Sequence, residues 1–407
     1  MLKLLRFKVK LGFIVNPFYL YVIAFSLSII VYLFGWSSLF PKLSFGLIVF
    51  FAVTFILFLI TGYLYFKKKR PISPRLIPGP YLNDIVFSLI IVLCCINVIY
   101  MGYLPFFDRS HNYREFGMPV IDPLFNSLSI FFSVFLFHSI LNNRKKRFVF
   151  YYVIILIIQA LIFRRSAIIW IIISSIFLYI IYKREISLLL ILTGVICFPL
   201  LSYCFGLYGN VRSNLTKSFV IGDLGASESF RKTGANYNHY MTYLYISSPL
   251  ANLQENIDKR DQKVREGDLK EFIFYCLIPE SFTNRLQKTF NLVTPSSYLI
   301  SPNLIVGSFF MVGFYTMGWM GMAVMSVYLL FFILLCLYII KRWDTCNIEV
   351  IALLSTAVSL LIFSNFLNRL DVILMLLVYP IIFHLIINRS GKVSTISLRI
   401  SDKHPLL

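Results

Sequence analysis

Two adjacent arginines, Arg164 and Arg165, interrupt a long apolar part of the sequence. The apolar run before them, Phe148 to Phe163, would form a helix about 24 Å long, at about 1.5 Å per residue. Because the hydrocarbon core of a bilayer is about 30 Å thick, both arginines are expected at a membrane interface or slightly inside it. Their planar guanidinium groups suit the oxygens of a phosphate or pyrophosphate. The alternative is that both side chains snorkel to the phosphates of bilayer lipids.

A second group of candidates lies in one long polar segment, Leu207 to Pro302. Arg212 follows the preceding apolar run within a helical turn or two, so it could bind the same anionic group as the paired arginines. A shorter polar segment, Pro105 to Ile121, contains Arg109 and Arg114, which are candidates for binding a sugar.

The stretch SESFRKTGANYNHYMTYLYISSPL in the long polar segment has the composition of a sugar-binding helix. A helix here would place Lys232, Asn236, His239 and Tyr243 on one face, at offsets of 4, 7 and 11 residues. Sugars stack their C–H surfaces on aromatic rings, while their hydroxyls bond to Asn and His. His239 is the only histidine of the segment and could act as a general base near neutral pH. The alternative is a helix that packs its aromatic side chains against the rest of the protein.

The elements that must position these residues are long apolar runs. Of the 407 residues, 58% are hydrophobic and 14% are charged, and recurring runs of about 18 or more apolar residues predict transmembrane helices. The sequence therefore predicts an all-α polytopic membrane protein with about ten transmembrane helices and one large loop on the outer side. The predicted spans are 15–36, 43–66, 84–104, 122–141, 148–163, 166–182, 186–206, 318–340, 348–366 and 371–388.

This layout divides the chain into four parts. They are a seven-helix bundle over 1–206 with a short outer loop at 105–121, the large outer loop 207–302, a C-terminal part over 303–388, and a tail at 389–407. The C-terminal part begins with an apolar run too long for one helix. Leu304 to Met317 is therefore expected to re-enter the membrane or lie at its surface, before three further spans.

The net charge of +20 comes mainly from short Lys and Arg clusters between the apolar runs. The clusters are Lys3, Arg6, Lys8 and Lys10, then Lys67–Arg70, Arg144–Arg147, Lys183 and Arg184, Lys341 and Arg342, and Arg389 and Lys392. With ten spans, all of them fall on one side, which is the cytoplasmic side by the positive-inside rule. The pattern predicts cytoplasmic N and C termini and argues against nucleic-acid binding.

Several catalytic motifs are absent from the sequence. It contains no Walker lysine loop, no HExxH or GxSxG motif, and no pair of carboxylates at a metal-binding spacing. The sequence therefore predicts metal-independent chemistry without a cofactor. His138 and His384 are the main ionisable residues expected inside the spans, and this scarcity argues against an ion-coupled transporter.

Four stretches resemble the Wzy-type O-antigen polymerases, which are oligosaccharide repeat-unit polymerases of bacterial inner membranes. These stretches are REFGMPVIDPLF after the third span, FRRSAIIW between the fifth and sixth, YLYISSPLANL in the large loop, and SPNLIVGSFFMVGFYTMGWMGM entering the eighth. The likeness in layout covers most of the chain, whereas the matching stretches are short. One of Arg164 and Arg165 occupies a place where relatives often carry an arginine. Some relatives also carry an Arg-x10-Gly pattern, but Arg212 and Gly222 are one residue too close for it.

The resemblance implies a specific reaction on the periplasmic face, where the large loop would lie. A polymer carried on undecaprenyl pyrophosphate is transferred to the end of a new lipid-linked repeat unit. The implied partners are undecaprenyl-pyrophosphate-linked oligosaccharides, membrane lipid and a separate protein that regulates chain length. In this scheme Arg164, Arg165 and Arg212 hold the pyrophosphate, while His239 and Arg231 act on the acceptor.

Three assignments stay open at the level of the sequence. Asp108 is an alternative to His239 as the base. The closest alternative function is an O-antigen ligase, which uses lipid A core as its acceptor. A lipid-linked oligosaccharide flippase is a transporter of a different class; it should show evenly short loops and a polar central cavity. Instead, this chain concentrates its polar residues in one outer loop.

Overall fold

The computed structural model describes residues 8–10, 13–67, 80–108, 115–143, 145–212, 216–259, 269–295, 297–343 and 346–389. The first seven helices are α1 (Pro17–Tyr32), α2 (Phe45–Lys67), α3 (Pro80–Met101), α4 (Ile121–Asn143), α5 (Lys146–Leu161), α6 (Arg165–Lys183) and α7 (Leu188–Arg212). The next five are α8 (Lys217–Ile221), α9 (Glu228–Lys232), α10 (Tyr237–Asp258), α11 (Leu269–Phe272) and α12 (Glu280–Leu286). The last four are α13 (Met311–Trp343), α14 (Asn347–Leu360), α15 (Leu370–Ile373) and α16 (Tyr379–Arg389). A π-helical turn, Ile273–Leu277, follows α11, a 3₁₀ turn, Phe366–Asn368, precedes α15, and a π-helical turn, Leu374–Val378, joins α15 to α16. Two short strands, β1 (Lys8–Lys10) and β2 (Glu185–Ser187), pair antiparallel.

Six of the described helices are long and apolar enough to cross a membrane: α2, α3, α4, α6, α7 and α13. Shorter apolar helices occur at α1, at α14 and over Leu370–Ile386. Helix α5 occupies the predicted fifth span, and at 16 residues it falls short of the roughly 20 that a full crossing needs. The fold is thus that of an all-α polytopic membrane protein.

Helix α14 forms the centre of the bundle. All of its residues except Ser359 are buried, although they include polar side chains as well as apolar ones. It packs against α1, α6, α4 and α13. Small side chains such as Ala352 and Ala357 allow these close approaches, and Ser174 of α6 donates a hydrogen bond to Thr356 at 2.8 Å.

Helix α10 organises a second layer at one end of the bundle and packs against α7, α1 and α13. Its contact with α7 is very close, since a Cβ atom on Gly206 would lie 1.8 Å from the carbonyl oxygen of Asn238. Only glycine permits this spacing. Asn210 of α7 also donates to the Asn238 side chain at 2.7 Å. Side chains of α10 pack with those of the preceding segment in a small hydrophobic core, which includes Val220, Leu224, Phe230, Tyr240, Tyr243 and Leu244.

Two asparagines of α10 hold the segment that leads back into the bundle. Asn252 donates through Nδ2 to the carbonyls of Leu304 and Val306, at 2.6 and 2.8 Å, and accepts from the Ile300 backbone. Asn256 exchanges two hydrogen bonds with the backbone of Tyr298, at 2.8 and 3.0 Å. These contacts give non-helical backbone the partners that it would otherwise lack.

The single helical face predicted for Lys232, Asn236, His239 and Tyr243 is wrong. Helix α9 ends at Lys232, and Gly234 adopts a φ of +65°, which ends a right-handed helix. Asn236 is the N-cap of α10 and accepts from the Asn238 backbone N–H. The sequence TGAN therefore separates two helices, because glycine and asparagine favour a helix end and a helix start.

Leu304 to Met317, predicted to re-enter or lie at the membrane surface, is irregular as far as Phe310. It then forms a short helical stretch up to Gly318, where the backbone of α13 is non-helical. The carbonyl oxygen of Gly313 would lie 2.0 Å from a Cβ atom on Gly321. The short stretch therefore folds back onto the start of the long part of α13.

We expect Asn252→Asp to destabilise the fold far more than Asn303→Asp. The first change replaces an amide that donates to two carbonyls with a carboxylate, and each buried acceptor left unpaired costs about 1–3 kcal/mol. The second changes an exposed side chain in the same segment. The measurement is the apparent Tm of purified protein in detergent. Equal Tm values for the two variants would contradict the anchoring role of Asn252.

Candidate functional site

A cavity of about 510 Å³ lies at the end of the bundle where α4, α6, α12 and α15 begin. Fourteen residues line it: Phe116, Asp122, Pro123, Asn126, Phe163, Arg164, Arg165, Ser166, Glu280, Ser281, Asn284, Arg369, Leu370 and Asp371. The cavity thus brings together both arginines between the fifth and sixth predicted spans, a third arginine and three carboxylates.

The turn between α5 and α6 places Arg164 and Arg165 at the cavity. Phe163 has a φ of +58°, a left-handed conformation that costs a non-glycine residue about 1–2 kcal/mol. Its ring centroid lies 6.0 Å from that of Phe106, whose backbone N–H donates to the Leu161 carbonyl at 3.1 Å. Because strained backbone persists where its surroundings impose it, and such places are often functional, this turn is a candidate site on its own geometry.

Arg164 is held by the segment that precedes α4. Its Nη2 atom donates to Asp122 Oδ1 and lies 3.4 Å from the carbonyl oxygen of Phe116. The two charged side chains are 17% and 23% exposed, so the ion pair is partly shielded from water. Gly117 makes the arrangement possible. Its φ is +116°, and a Cβ atom there would lie 2.4 Å from Asp122 Oδ1.

Arg165 connects the start of α6 to the second layer. Its two terminal nitrogens lie 3.3 and 3.2 Å from the hydroxyl of Tyr245 on α10. Its guanidinium carbon is 4.8 Å from the Tyr245 ring centroid and 5.4 Å from that of Phe205 on α7. These cation–π contacts hold the charge against two aromatic faces, so Arg165 both lines the cavity and joins three helices.

Arg369 is the third arginine and forms a two-bond ion pair with Asp371. Its Nε and Nη2 atoms donate to the two carboxylate oxygens at 3.1 and 2.7 Å. Asn126 of α4 and the backbone N–H of Val372 donate to the same carboxylate at 2.8 and 3.0 Å. Burial disfavours the charge on Arg369, but the nearby carboxylates outweigh it and raise the pKa of Arg369 above its ordinary value. The guanidinium therefore stays charged.

Neither Arg369 nor Asp371 was among the residues selected from the sequence. The sequence could have indicated Arg369, because it lies between the predicted spans 348–366 and 371–388, on the side that disfavours basic residues. The same argument selects Arg164 and Arg165. Arg369 differs from them in having no second arginine next to it in the sequence.

The charges that line the cavity are formally balanced, with three arginines against Asp122, Asp371 and Glu280. The ion pairs nevertheless use only part of the donor capacity, since each guanidinium has five N–H bonds. Arg164 uses Nη2, and Arg369 uses Nε and Nη2. The remaining N–H groups have no hydrogen bond to the described residues and could bind an anion.

The other sequence candidates for which the structure describes the side chain do not line the cavity. Arg231 and Asn236 are exposed. His239 is half-buried on the face of α10 that contacts α7, with Nδ1 3.2 Å from the Ser202 hydroxyl. Tyr243 is only 3% exposed. Its ring is packed among other aromatic rings instead of being open for stacking on a sugar.

Three further candidates cannot be placed relative to the cavity. Arg109 and Arg114 lie outside the described residues. Arg212 is the last residue of α7, and its side chain lies outside them as well. Among the described residues, no group of three or more His, Cys, Asp or Glu side chains could hold a metal ion.

The described part of the bundle also contains a buried histidine–glutamate pair that the sequence does not predict. His138 of α4 and Glu349 of α14 approach to 2.5 Å between Nδ1 and Oε1. Glu349 is fully buried, within a predicted span, whereas the sequence analysis predicts His138 and His384 as the main ionisable residues of the spans. Helix α4 begins at the cavity, and His138 lies near its opposite end.

No protein-family model, curated protein or solved structure matches this chain.

We expect Gly117→Ala to lower stability more than Gly102→Ala does. Both glycines have positive φ, +116° and +75°, so both substitutions incur a backbone cost of about 1–2 kcal/mol. Only the Cβ atom at residue 117 would collide with the Asp122 carboxylate, because nothing lies within 4 Å at residue 102. The apparent Tm in detergent compares the two variants. Identical shifts would indicate that the Arg164–Asp122 pair moves aside without cost.

Proposed function

We propose that this chain is an O-antigen polymerase of the Wzy type. It would be a glycosyltransferase that joins undecaprenyl-pyrophosphate-linked oligosaccharide repeat units during lipopolysaccharide O-antigen synthesis in a bacterial inner membrane. The observation that carries the proposal is the meeting of Arg164, Arg165 and Arg369 in one cavity at the end of an apolar helical bundle. Two of these arginines lie in FRRSAIIW, one of the stretches that resemble the family.

The course of α6 supports a periplasmic position for the cavity. The helix starts at Arg165 in the cavity and ends at Lys183, after which β2 pairs with the basic N-terminal strand β1. Lys183, Arg184 and the strand residues Lys8 and Lys10 therefore lie at the far end of α6 from the cavity. By the positive-inside rule that far end is cytoplasmic, which leaves the cavity facing the periplasm.

The chemistry of the reaction fits the lining of the cavity. The leaving group is a pyrophosphate, which departs readily once its charge is neutralised and the acceptor is aligned. Arg164 and Arg369 provide fixed donors for that charge, because Asp122 and Asp371 hold each guanidinium in place. Arg165 connects the same site to α10, so the loop layer and the bundle position the substrate together.

An O-antigen ligase would use the same pyrophosphate-binding groups, and the acceptor alone separates the two functions. The distinguishing measurement is lipopolysaccharide electrophoresis of a strain lacking this gene. A polymerase deletion leaves core plus one repeat unit, and the gene restored on a plasmid returns a ladder. Bare core would favour the ligase, a flippase or an earlier step, and an unchanged ladder would contradict a role in O-antigen synthesis.

We predict that Arg164→Ala and Arg369→Ala abolish the ladder in the complemented strain, whereas Arg285→Ala preserves it. Removing one fixed donor to a developing negative charge slows catalysis by about 10²–10³-fold. Arg285 is an exposed arginine of α12 that does not line the cavity, so it is the matched control. Membrane levels of all variants are measured by immunoblot.

The Arg164→Lys variant distinguishes, in the same assay, the contribution of the positive charge of Arg164 from that of its planar guanidinium group. Lysine keeps the positive charge but lacks the planar fork, so we expect shorter polymers than those of the wild type. A normal ladder from Arg164→Ala at an unchanged membrane level would rule out the proposed pyrophosphate site.

A further inference from the structure

The cavity has a second polar wall, formed by a different part of the chain from the arginines. Glu280, Ser281 and Asn284 line it from α12, and Asn284 lies about one helical turn after each of the other two. The arginines come from connections within the bundle, whereas α12 belongs to the large loop. The cavity therefore presents a cationic side and a carboxylate–hydroxyl–amide side to whatever enters it.

Glu280 differs from the two other carboxylates of the cavity, because it acts on Arg369 through its charge alone. Asp371 accepts four hydrogen bonds, which fills the lone-pair positions of a carboxylate. Asp122 pairs with Arg164. Within the described residues, no ion pair or side-chain hydrogen bond involves Glu280, so both of its oxygens can accept a proton.

Two further polar atoms of the cavity lack partners. The Ser281 hydroxyl and the Asn126 Oδ1 atom are buried and make no hydrogen bond to the described residues. Buried polar atoms usually have partners, and those that do not need an explanation. A ligand rich in hydroxyl groups would supply the missing hydrogen bonds, as a sugar does.

Helix α12 is fixed relative to the arginines. Thr283 of α12 donates to the Phe274 carbonyl at 2.6 Å in the preceding π-helical turn. That turn is held by Asn365 and Asn368, which donate to the carbonyls of Cys276 and Tyr275 at 2.8 and 3.2 Å. Both asparagines belong to the connection that carries Arg369. The two walls of the cavity are thus joined by a short chain of hydrogen bonds.

We infer that α12 forms the acceptor side of the site, with Glu280 as the proton acceptor and Ser281 and Asn284 as sugar contacts. The inference rests on the proposed function. The acceptor hydroxyl oxygen bonds to the anomeric carbon of the donor sugar, and the bond from that carbon to the phosphate oxygen breaks. The electron pair leaves with undecaprenyl pyrophosphate, and the hydroxyl proton passes to a Glu280 carboxylate oxygen and then to water.

The test compares turnover with lipid binding in purified protein reconstituted in nanodiscs. The substrate for turnover is lipid-linked repeat unit extracted from the deletion strain, and the probe for binding is undecaprenyl pyrophosphate alone. Glu280→Gln is expected to slow polymerisation by about 10²–10⁴-fold, the usual contribution of a general base. Binding of the probe should be unchanged or tighter, because a negative charge beside the pyrophosphate has been removed.

Glu228→Gln is the matched control, since Glu228 is an exposed carboxylate of the same loop, 3.9 Å from Lys232 and outside the cavity. It should polymerise at the wild-type rate. Glu280→Asp keeps a carboxylate on a shorter arm and should recover part of the rate lost in Glu280→Gln.

Three results would overturn the assignment of Glu280. They are a near-normal rate for Glu280→Gln, equal rates for its Asp and Gln variants, and loss of probe binding together with turnover. In each case a ladder that still depends on the gene and on Arg164 would leave the polymerase proposal standing. Failure of the gene to affect the ladder would instead remove the proposed function itself.

Discussion

The arrangement at the end of the bundle depends on one constraint: an arginine beside an apolar core needs a fixed partner for its charge. A buried or half-buried charge without a partner costs several kcal/mol. Asp122 and Asp371, in the first turns of α4 and α15, supply those partners to Arg164 and Arg369. Other local features follow from these pairs. Gly117 makes room for one carboxylate, and Asn126 completes the hydrogen bonds of the other.

Hydrophobicity made the all-α polytopic class of the protein predictable, because a membrane span has to be long and apolar. The ten spans and their orientation stay predictions from the pattern of apolar runs and basic clusters. The same reasoning located Arg164 and Arg165. It missed Asp122 and Asp371, since a carboxylate in the first turn of a span resembles an ordinary flanking residue until its partner is known. Arg369 pairs with a residue two positions away, but Arg164 pairs with one 42 positions earlier, a relation that a single sequence does not reveal.

The structure of the polar segment Leu207 to Pro302 was harder to predict, for reasons that are local as well as tertiary. The error over Lys232 to Tyr243 came from extending one helix through Gly234, where helix-ending and helix-starting residues stand together. The prediction that Tyr243 contacts a sugar disagrees with the tertiary structure, in which Tyr243 is buried. A tyrosine-rich face serves equally well as a sugar platform or as a packing surface, and the contacts with Trp36 and Phe40 decide for packing.

Polar side chains occur along the whole length of α4. The ionisable groups of α4 lie near its two ends, at Asp122 and His138. Between them Phe131, Phe132 and Phe135 are buried in the core. Ser129 and Ser133 are buried in the same stretch, and the Ser133 hydroxyl donates to the Ser129 carbonyl at 2.7 Å. Ionisable side chains therefore lie at both ends of this helix, at the cavity and at the His138–Glu349 pair.

Carboxylate-paired arginines suit a site that must release a charged lipid after every transfer. Unpaired arginines would bind the pyrophosphate tightly both before and after the reaction, and uniform binding of that kind does not speed the chemical step. In the ground state Arg164 and Arg369 share their charge with Asp122 and Asp371. In the proposed transfer, negative charge grows on the leaving oxygen as the bond to the anomeric carbon breaks. The unused N–H groups would then gain more from this charge than from the intact substrate. Pairing therefore weakens the hold on substrate and product while preserving the stabilisation of the transition state.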